Sequence, residues 1–379
     1  MLSCGEPSGD VYAGALATEI LARVPSAEIF GLGSDRLLGA GGRLVGDFKG
    51  ISVTGLTEAI RVLPRSYAML RRLVDAARET RPDVFVAIDF PDFNFRLMAA
   101  LRRLAIPIVY YISPQLWAWR TGRMQTMKRF VDRVLVIFPF EEPLYRREGV
   151  DVRFVGHPLV DLARASEPRD GFLRSQGLDP VSPTVALLPG SRPNELHRIL
   201  PGLAAAVPQI RLKVPDVQFV VACAPNLAEA QFVPLAAIRP KPPVLVWNRT
   251  DDVLAASDVV VTASGTATVQ AALHERPMVV VYRLSPLTYA LGRPFVKVDT
   301  YAMANLVAGR RVVPELIQDG FTPERVTEET VGFLTDRNRW TTTRDALREV
   351  RNKLGKPGAS GRAAEAVLEV AARFGVRSA

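Results

Sequence analysis

The feature that most constrains this chain is its rhythm. Short apolar runs, rich in valine and isoleucine, recur from end to end, and stretches with helical spacing separate them. The runs expected as strands are 27–31, 84–88, 108–112, 133–138 and 152–155, then 184–188, 217–222, 244–247, 259–262 and 278–282. Most are continuous rather than alternating, as in strands covered on both faces. Helical patterns lie between them, at 11–24, 67–79, 95–104 and 267–274. Strand–helix alternation of this kind implies parallel sheets in a doubly wound α/β architecture.

The rhythm pauses at 161–183, which is polar and turn-rich. This predicts two Rossmann-like domains, 1–160 and 184–339, joined by a linker at 161–183 and facing each other across a cleft. Residues 340–379 read as helix, interrupted at 355–360; they either return to the first domain or exchange between subunits of a homodimer. A chain of 379 residues is long enough for two cores. Ligands of open α/β sheets bind beyond the carboxyl ends of the strands, so the residues directly after strands carry the information. The opening "MLSCGEPSGD" is odd in this light, because only four residues precede its turn-forming part. The first strand is expected to be nearly absent and the first domain weakened, with Met1 an internal start or upstream sequence missing; the intact mass of the native protein tests this.

Composition narrows the function classes. The net charge of +9 suits an anionic partner, although a generally basic surface explains it equally well, and no nucleic-acid-binding signature accompanies it. Cys4, Cys223 and the three histidines form no metal-ligand spacing, so reduced thiols and no metal or other cofactor are expected. No uncharged apolar run of ~18 residues and no signal-peptide pattern occurs, which makes the cytosol the expected compartment.

Several strand-end motifs suit chemistry. In "DVVVTASGTATVQAAL" (258–273) a strand runs into Ser264, Gly265 and Thr266 and then a helix, a turn whose N–H groups and hydroxyls suit a phosphate or, more plainly, cap the helix. In "LLPGSRPNEL" (187–196) Arg192 stands at a similar turn, where a guanidinium suits a diphosphate; Ser191 and Asn194 also read as caps. Together the two turns point to a bound nucleotide diphosphate. In "AIDFPDFN" (87–94) Asp89 follows a strand directly and reads as a general base among aromatics, whereas Asp92 reads mainly as the cap of a helix starting near Phe95. The tryptophans of "SPQLWAWR" (113–120) line a pocket or pack on it. His157, in "GHPL", reads as a hinge residue or a sugar contact. Ile60, Val62 and Leu63, interleaved with arginines, are the residues best suited to touch an anionic lipid surface.

These motifs, with GEPSGD (5–10) and NLVAGRRVVPELIQ (305–318), resemble in order and spacing the lipid-A-disaccharide synthases, inverting glycosyltransferases of the GT-B class. The resemblance covers nearly the whole chain. It implies transfer of a sugar from UDP-2,3-diacylglucosamine to the 6-hydroxyl of 2,3-diacylglucosamine 1-phosphate (lipid X), giving a β-1,6-linked disaccharide phosphate and UDP, without a metal. It implies Asp89 as the base, Arg192 at the nucleotide-sugar, Asn305 as a residue important for activity, and Glu6, Ser8 and Asp10 at the cleft. Asp10 also reads as a cap for a helix starting at Val11. Ser264, Gly265 and Thr266, with Ser191 and Arg192, match the UDP side. The family usually has Glu where Gln270 stands, so altered ribose contact is expected. Peripheral association with the inner membrane follows from the same resemblance. The alternatives are another GT-B transferase or 2-epimerase acting on a UDP-N-acetylhexosamine, and a non-catalytic lipid- or nucleotide-binding homologue.

Overall fold

The computed structural model describes residues 1–49, 56–114, 123–284 and 300–375, the side chains of 56–62 apart. The described residues form two compact units. One comprises Met1–Pro158 and Leu354–Ala379, the other Leu159–Lys353.

The first unit runs β1 (Leu2–Ser3), α1 (Pro7–Arg23), β2 (Phe30–Gly33), α2 (Asp35–Gly39), β3 (Arg43–Asp47), α3 (Leu56–Thr80), β4 (Phe85–Ile88), α4 (Pro91–Arg102), β5 (Ile108–Tyr111), α5 (Arg123–Phe130), β6 (Arg133–Val136), α6 (Glu141–Arg147) and β7 (Val152–Phe154). Its strands form a parallel sheet in the order β3-β2-β1-β4-β5-β6-β7. The brief opening strand is central. Leu2 and Ser3 pair with Gly31 and Leu32 on one side and with Val86 and Ala87 on the other. The ladder extends beyond it, since Cys4 N–H donates to the Leu32 carbonyl at 3.1 Å and Val86 N–H to that of Met1 at 2.9 Å. Met1 to Cys4 are all buried, so the first strand, as short as expected at two residues, still contributes to the core.

The second unit runs α7 (Leu159–Leu162), α8 (Arg169–Ser175), β8 (Thr184–Leu188), α9 (Pro193–Lys213), β9 (Gln218–Cys223), α10 (Val233–Ala236), β10 (Val244–Trp247), α11 (Thr250–Ala256), β11 (Val259–Ala263), α12 (Thr266–Leu273), β12 (Met278–Tyr282), α13 (Met303–Ala308), β13 (Glu315–Ile317), α14 (Pro323–Thr335) and α15 (Arg337–Lys353). Its parallel sheet has the order β10-β9-β8-β11-β12-β13. The apolar face of α9, from Leu196 to Ile210, packs with Phe219, Phe321 and Phe333 into a core that contains the valines of β8, β9, β11 and β12. The chain then returns to the first unit as α16 (Ala359–Gly375), which packs along α1.

The boundaries differ from the linker expected at 161–183. That stretch belongs to the second unit. Phe172 and Leu173 of α8 are fully buried, the Asp252 carboxylate accepts from the Ser166 and Glu167 N–H groups, and Arg169 makes a two-pronged pair with Asp258. Its polarity reflects partners inside the unit rather than exposure. Likewise, of the residues in 340–379, α15 stays with the second unit and only the part from Leu354 onward belongs to the first. Strands β3 and β13 were not among the expected runs. Both are edge strands, whose sequences lack the continuous valine and isoleucine that central strands need.

Candidate active site

Each sheet reverses its strand order once, between β1 and β4 in the first and between β8 and β11 in the second. These are the switch points where the loops leaving two neighbouring strands diverge and open a crevice. The acidic motifs occupy the first, the phosphate-suited turns the second.

In the first unit, the loop after β1 meets the loop after β4. A Cβ on Gly5 would lie 2.2 Å from the Phe90 ring, so only glycine lets the two loops touch. Asp89 and Phe90 both take left-handed backbone conformations, with φ of 46° and 50°. For non-glycine residues this costs about 1–3 kcal/mol each and requires outside support. The support is three hydrogen bonds on Asp89. Its N–H donates to the Tyr111 carbonyl at 3.2 Å. Its carbonyl accepts from the Tyr110 hydroxyl at 2.8 Å and from Asn94 Nδ2 at 2.8 Å. Burial, and then the Asp89 charge, push the Tyr110 hydroxyl well above the usual phenol range, which keeps it a donor. The half-buried Asp89 side chain thus leaves a backbone anchored at both ends.

Asn94 closes the same motif. It is fully buried in α4, and besides Asp89 it accepts from Ser3 Oγ at 2.7 Å and donates to the Ser3 carbonyl at 3.2 Å. One amide therefore ties β1 to the Asp89 turn. A polar residue on the inward face of a helix beginning at Pro91 was the available signal.

Other acidic residues do different work from that expected. Asp10 lies inside α1, which starts at Pro7, and does not cap a helix at Val11. Its buried carboxylate accepts the N–H groups of Ser34, Arg36 and Leu37 at 2.8, 2.9 and 3.3 Å, which fixes the start of α2. Glu6 is the N-cap residue of α1 and Ser8 lies in its first turn; both are half-buried. Asp92 is no cap either. Helix α4 starts before it, and its carboxylate pairs with Arg123. His157 is 2% exposed, its ring against Phe138 and Tyr12, and burial lowers its pKa to about 3. Its N–H donates to the Leu354 carbonyl at 2.8 Å, which joins the two points at which the chain passes between units. Beside it, a Cβ on Gly355 (φ 99°) would lie 3.0 Å from Gly156 Cα, so the crossings are close-packed. The His157 ring is thus enclosed within the first unit, next to the boundary at Pro158. The tryptophans at 117 and 119 lie outside the described residues.

In the second unit, β8 and β11 are neighbours, with Leu188 opposite Thr262, so their loops emerge side by side. After β8, Arg192 is the N-cap residue of α9, and neither Ser191 nor Asn194 caps it through a side chain. Glu195 does the holding instead. Its carboxylate accepts from Ser191 N–H at 3.2 Å and from Arg192 Nη1 at 3.3 Å, and a Cβ on Gly190 would strike it at 2.6 Å. Asn226 adds a hydrogen bond to the Ser191 carbonyl at 2.9 Å. A glutamate three residues into a helix is the familiar reach-back spacing, which was the signal for Glu195.

After β11, Ser264 is fixed twice. Its N–H donates to the Val281 carbonyl at 3.2 Å, and its hydroxyl to the Tyr301 carbonyl at 3.0 Å. Gly265 and Thr266 are exposed and no side chain caps α12; the Thr268 N–H donates to the Gly265 carbonyl at 3.0 Å, which leaves the N–H groups of Thr266 and Ala267 as the orphan donors of this helix start. Gln270 is half-buried and donates to Asp251 at 3.3 Å; His274 Nε2 lies 2.9 Å from the same carboxylate. A carboxylate is therefore present beside position 270, supplied by α11.

Asn305 is 1% exposed and spends its whole amide within the unit. Its oxygen accepts from Val312 and Val313 N–H at 2.7 and 3.0 Å, and its nitrogen donates to the Val313 carbonyl at 3.0 Å and to Glu315 Oε1 at 2.7 Å. The residue expected to be important for activity is thus fully bonded inside the second unit. Ile60 and Val62 belong to α3, but their side chains lie outside the described residues; Leu63 is 49% exposed.

Comparison with known proteins shows the family to which the chain belongs. The family model described as lipid-A-disaccharide synthetase matches residues 1–370. The chain belongs to the lipid-A-disaccharide synthetase family. Among similar members are the lipid-A-disaccharide synthases of Myxococcus xanthus, 43% identical with 98% of this chain and 97% of that protein covered, and of Anaeromyxobacter dehalogenans strain 2CP-C, 45% identical with the same coverage. Solved structures share the two-domain GT-B architecture. The UDP-GlcNAc 2-epimerase of Neisseria meningitidis has a TM-score of 0.68 over 97% of this chain and 98% of that one, at 12% identity. The kitacinnamycin glycosyltransferase has a TM-score of 0.64 over 98% of both chains, at 18% identity. At such identities the likeness is one of fold, and the synthetase family alone carries the assignment.

Proposed function

We propose that the chain joins UDP-2,3-diacylglucosamine to lipid X with inversion at the anomeric carbon, releasing UDP. The observation that carries this is the family match over residues 1–370; the placement of Asp89 and Arg192 at the two switch points supports it. The Asp89 carboxylate takes the proton of the acceptor 6-hydroxyl as that oxygen attacks the anomeric carbon. The bond from this carbon to the diphosphate breaks on the opposite face. Arg192 and the Ser264–Thr266 turn receive the departing charge, since a guanidinium and a helix start both favour an anion. Glu6 and Ser8 line the acceptor side.

Both substrates carry acyl chains, so the enzyme works at the cytoplasmic face of the inner membrane as a peripheral protein. Among the described residues no helix is long and apolar enough to cross a membrane. The lipid-facing element is α3, where Leu63 and Tyr67 are exposed. A groove of about 340 Å³ runs between α3 and α4, lined by Tyr67, Leu70, Phe93 and Arg96. Phe93 stacks on Phe90 at 5.3 Å, next to Asp89, so the groove adjoins the proposed base.

The deciding experiment incubates the protein with both lipids and follows UDP release and the disaccharide by mass spectrometry. Folded protein that makes no disaccharide overturns the reading. UDP release that is equal with and without lipid X marks hydrolysis of the donor and counts against transfer to lipid X.

A further inference from the structure

We propose that Glu315 is a positioning residue for the diphosphate turn at Ser264–Thr266, acting through the backbone of Tyr301 and Ala302 with Asn305 as its partner. The proposal rests on the reading that this turn holds the diphosphate of UDP.

Glu315 opens β13, where it pairs with Val280 of β12. Its carboxylate gathers three N–H donors. Oε2 accepts from Tyr301 N–H at 2.9 Å, and Oε1 accepts from Ala302 N–H at 2.9 Å and from Asn305 Nδ2 at 2.7 Å. Ala302 is the N-cap residue of α13, so the carboxylate sits at that helix start, where negative charge is favoured. Among the described residues no lysine or arginine pairs with it. Its bonds go to backbone and amide, so its work is to shape the chain rather than to neutralise a cation.

The peptide it holds faces the site. With its N–H taken by Glu315, Tyr301 presents its carbonyl to the Ser264 hydroxyl at 3.0 Å. Ser264 immediately precedes Gly265, whose exposed N-cap position opens α12. The route from carboxylate to phosphate turn is therefore Glu315, Tyr301, Ser264, with every link a hydrogen bond of 3.0 Å or less. Asn305 closes the assembly from the other side by fixing Val312 and Val313 just before Glu315.

Glutamine at 315 keeps the shape but offers one acceptor oxygen where the site needs two, and it turns an NH₂ toward an N–H donor. The test is calorimetric titration of UDP into wild type, Glu315→Gln, Ser264→Ala and the double variant, with KM measured for each substrate. Each single variant is expected to bind UDP about tenfold more weakly, the scale of one hydrogen bond to a charged group. KM for the UDP-sugar rises in parallel, while KM for lipid X stays unchanged. The double variant is expected to bind no more weakly than the worse single one, because both break one route. Full UDP affinity in folded Glu315→Gln overturns the proposal, as does strict additivity. A matching rise in KM for lipid X also overturns it, since it marks a general loss of structure. If Glu315→Gln does not fold, Ser264→Ala decides, and unchanged UDP affinity there overturns the route. Wild-type protein that binds no UDP overturns the underlying reading, and this one with it; binding by wild type with no effect of Glu315→Gln overturns this one alone.

Discussion

At the scale of single residues, the proposed mechanism separates groups that meet substrate from groups that hold them in place. Asp89→Asn removes the proposed proton acceptor and leaves the second unit untouched. Turnover should fall by about 10²–10⁴, with UDP affinity retained in calorimetry; wild-type turnover would remove Asp89 from the mechanism. Arg192→Ala should weaken UDP-sugar binding and turnover together, and unchanged affinity would count against its role. Strand-end position made Asp89 and Arg192 legible in the sequence, because a residue directly after a parallel strand has one place to go. Glu195 and Asn94 left only the local signals named above, and Glu315 left none. Asn94 is tied to Ser3, 91 positions away, and Glu315 to Tyr301 in another loop, and no local spacing encodes such pairs. Asn305 was singled out by resemblance alone, and its chemistry turned out to be internal.

At the scale of elements, the two loops of the first switch point act as one. Alanine at Gly5 forces its methyl into the Phe90 ring, which stacks on Phe93 and has little room to yield. Overpacking of this kind costs about 1–3 kcal/mol, and it shifts the Asp89 turn as well. Gly5→Ala should therefore lower both the denaturant midpoint and kcat, and a loss of stability with full kcat would show that the loops move independently. Helix α3 tests the membrane reading. Leu63→Glu with Tyr67→Glu places two charges on exposed positions, so the fold should stand. Flotation with vesicles containing anionic lipid should then fall several-fold, and equal flotation would free α3 from the role.

At the scale of the whole molecule, a buried histidine lies next to the point where the chain leaves the first unit. His157 has a folded pKa of about 3, set by burial, against about 6.5 when unfolded. Below pH 6.5 the unfolded chain binds a proton that the folded chain does not. Stability is therefore complete above that pH and is lost as the pH falls toward 3, by up to about 1.4 kcal/mol per pH unit. His157→Gln should flatten this acid loss between pH 6.5 and 4.5 in chemical denaturation, and a slope equal to wild type would assign the loss to other groups.

The amino-acid sequence by itself determined the architecture and pointed to the two switch points at which the chemistry is proposed. Continuous apolar strands alternating with helices admit parallel doubly wound sheets and little else, and such sheets put their ligands at strand ends. Tertiary structure alone decided where each unit ends and which polar residues are scaffold. A polar stretch such as 161–183 looks like a linker until its Arg169, Ser166 and Glu167 find Asp258 and Asp252. In "MLSCGEPSGD" the glycine and the acidic residues were visible, but their division of labour was not. Gly5 is set by a ring 85 positions away, and Asp10 by a helix start 24 to 27 positions away. Apolar periodicity is a local signal that survives in the linear chain, whereas a hydrogen bond between distant loops exists only once the sheet has brought them together.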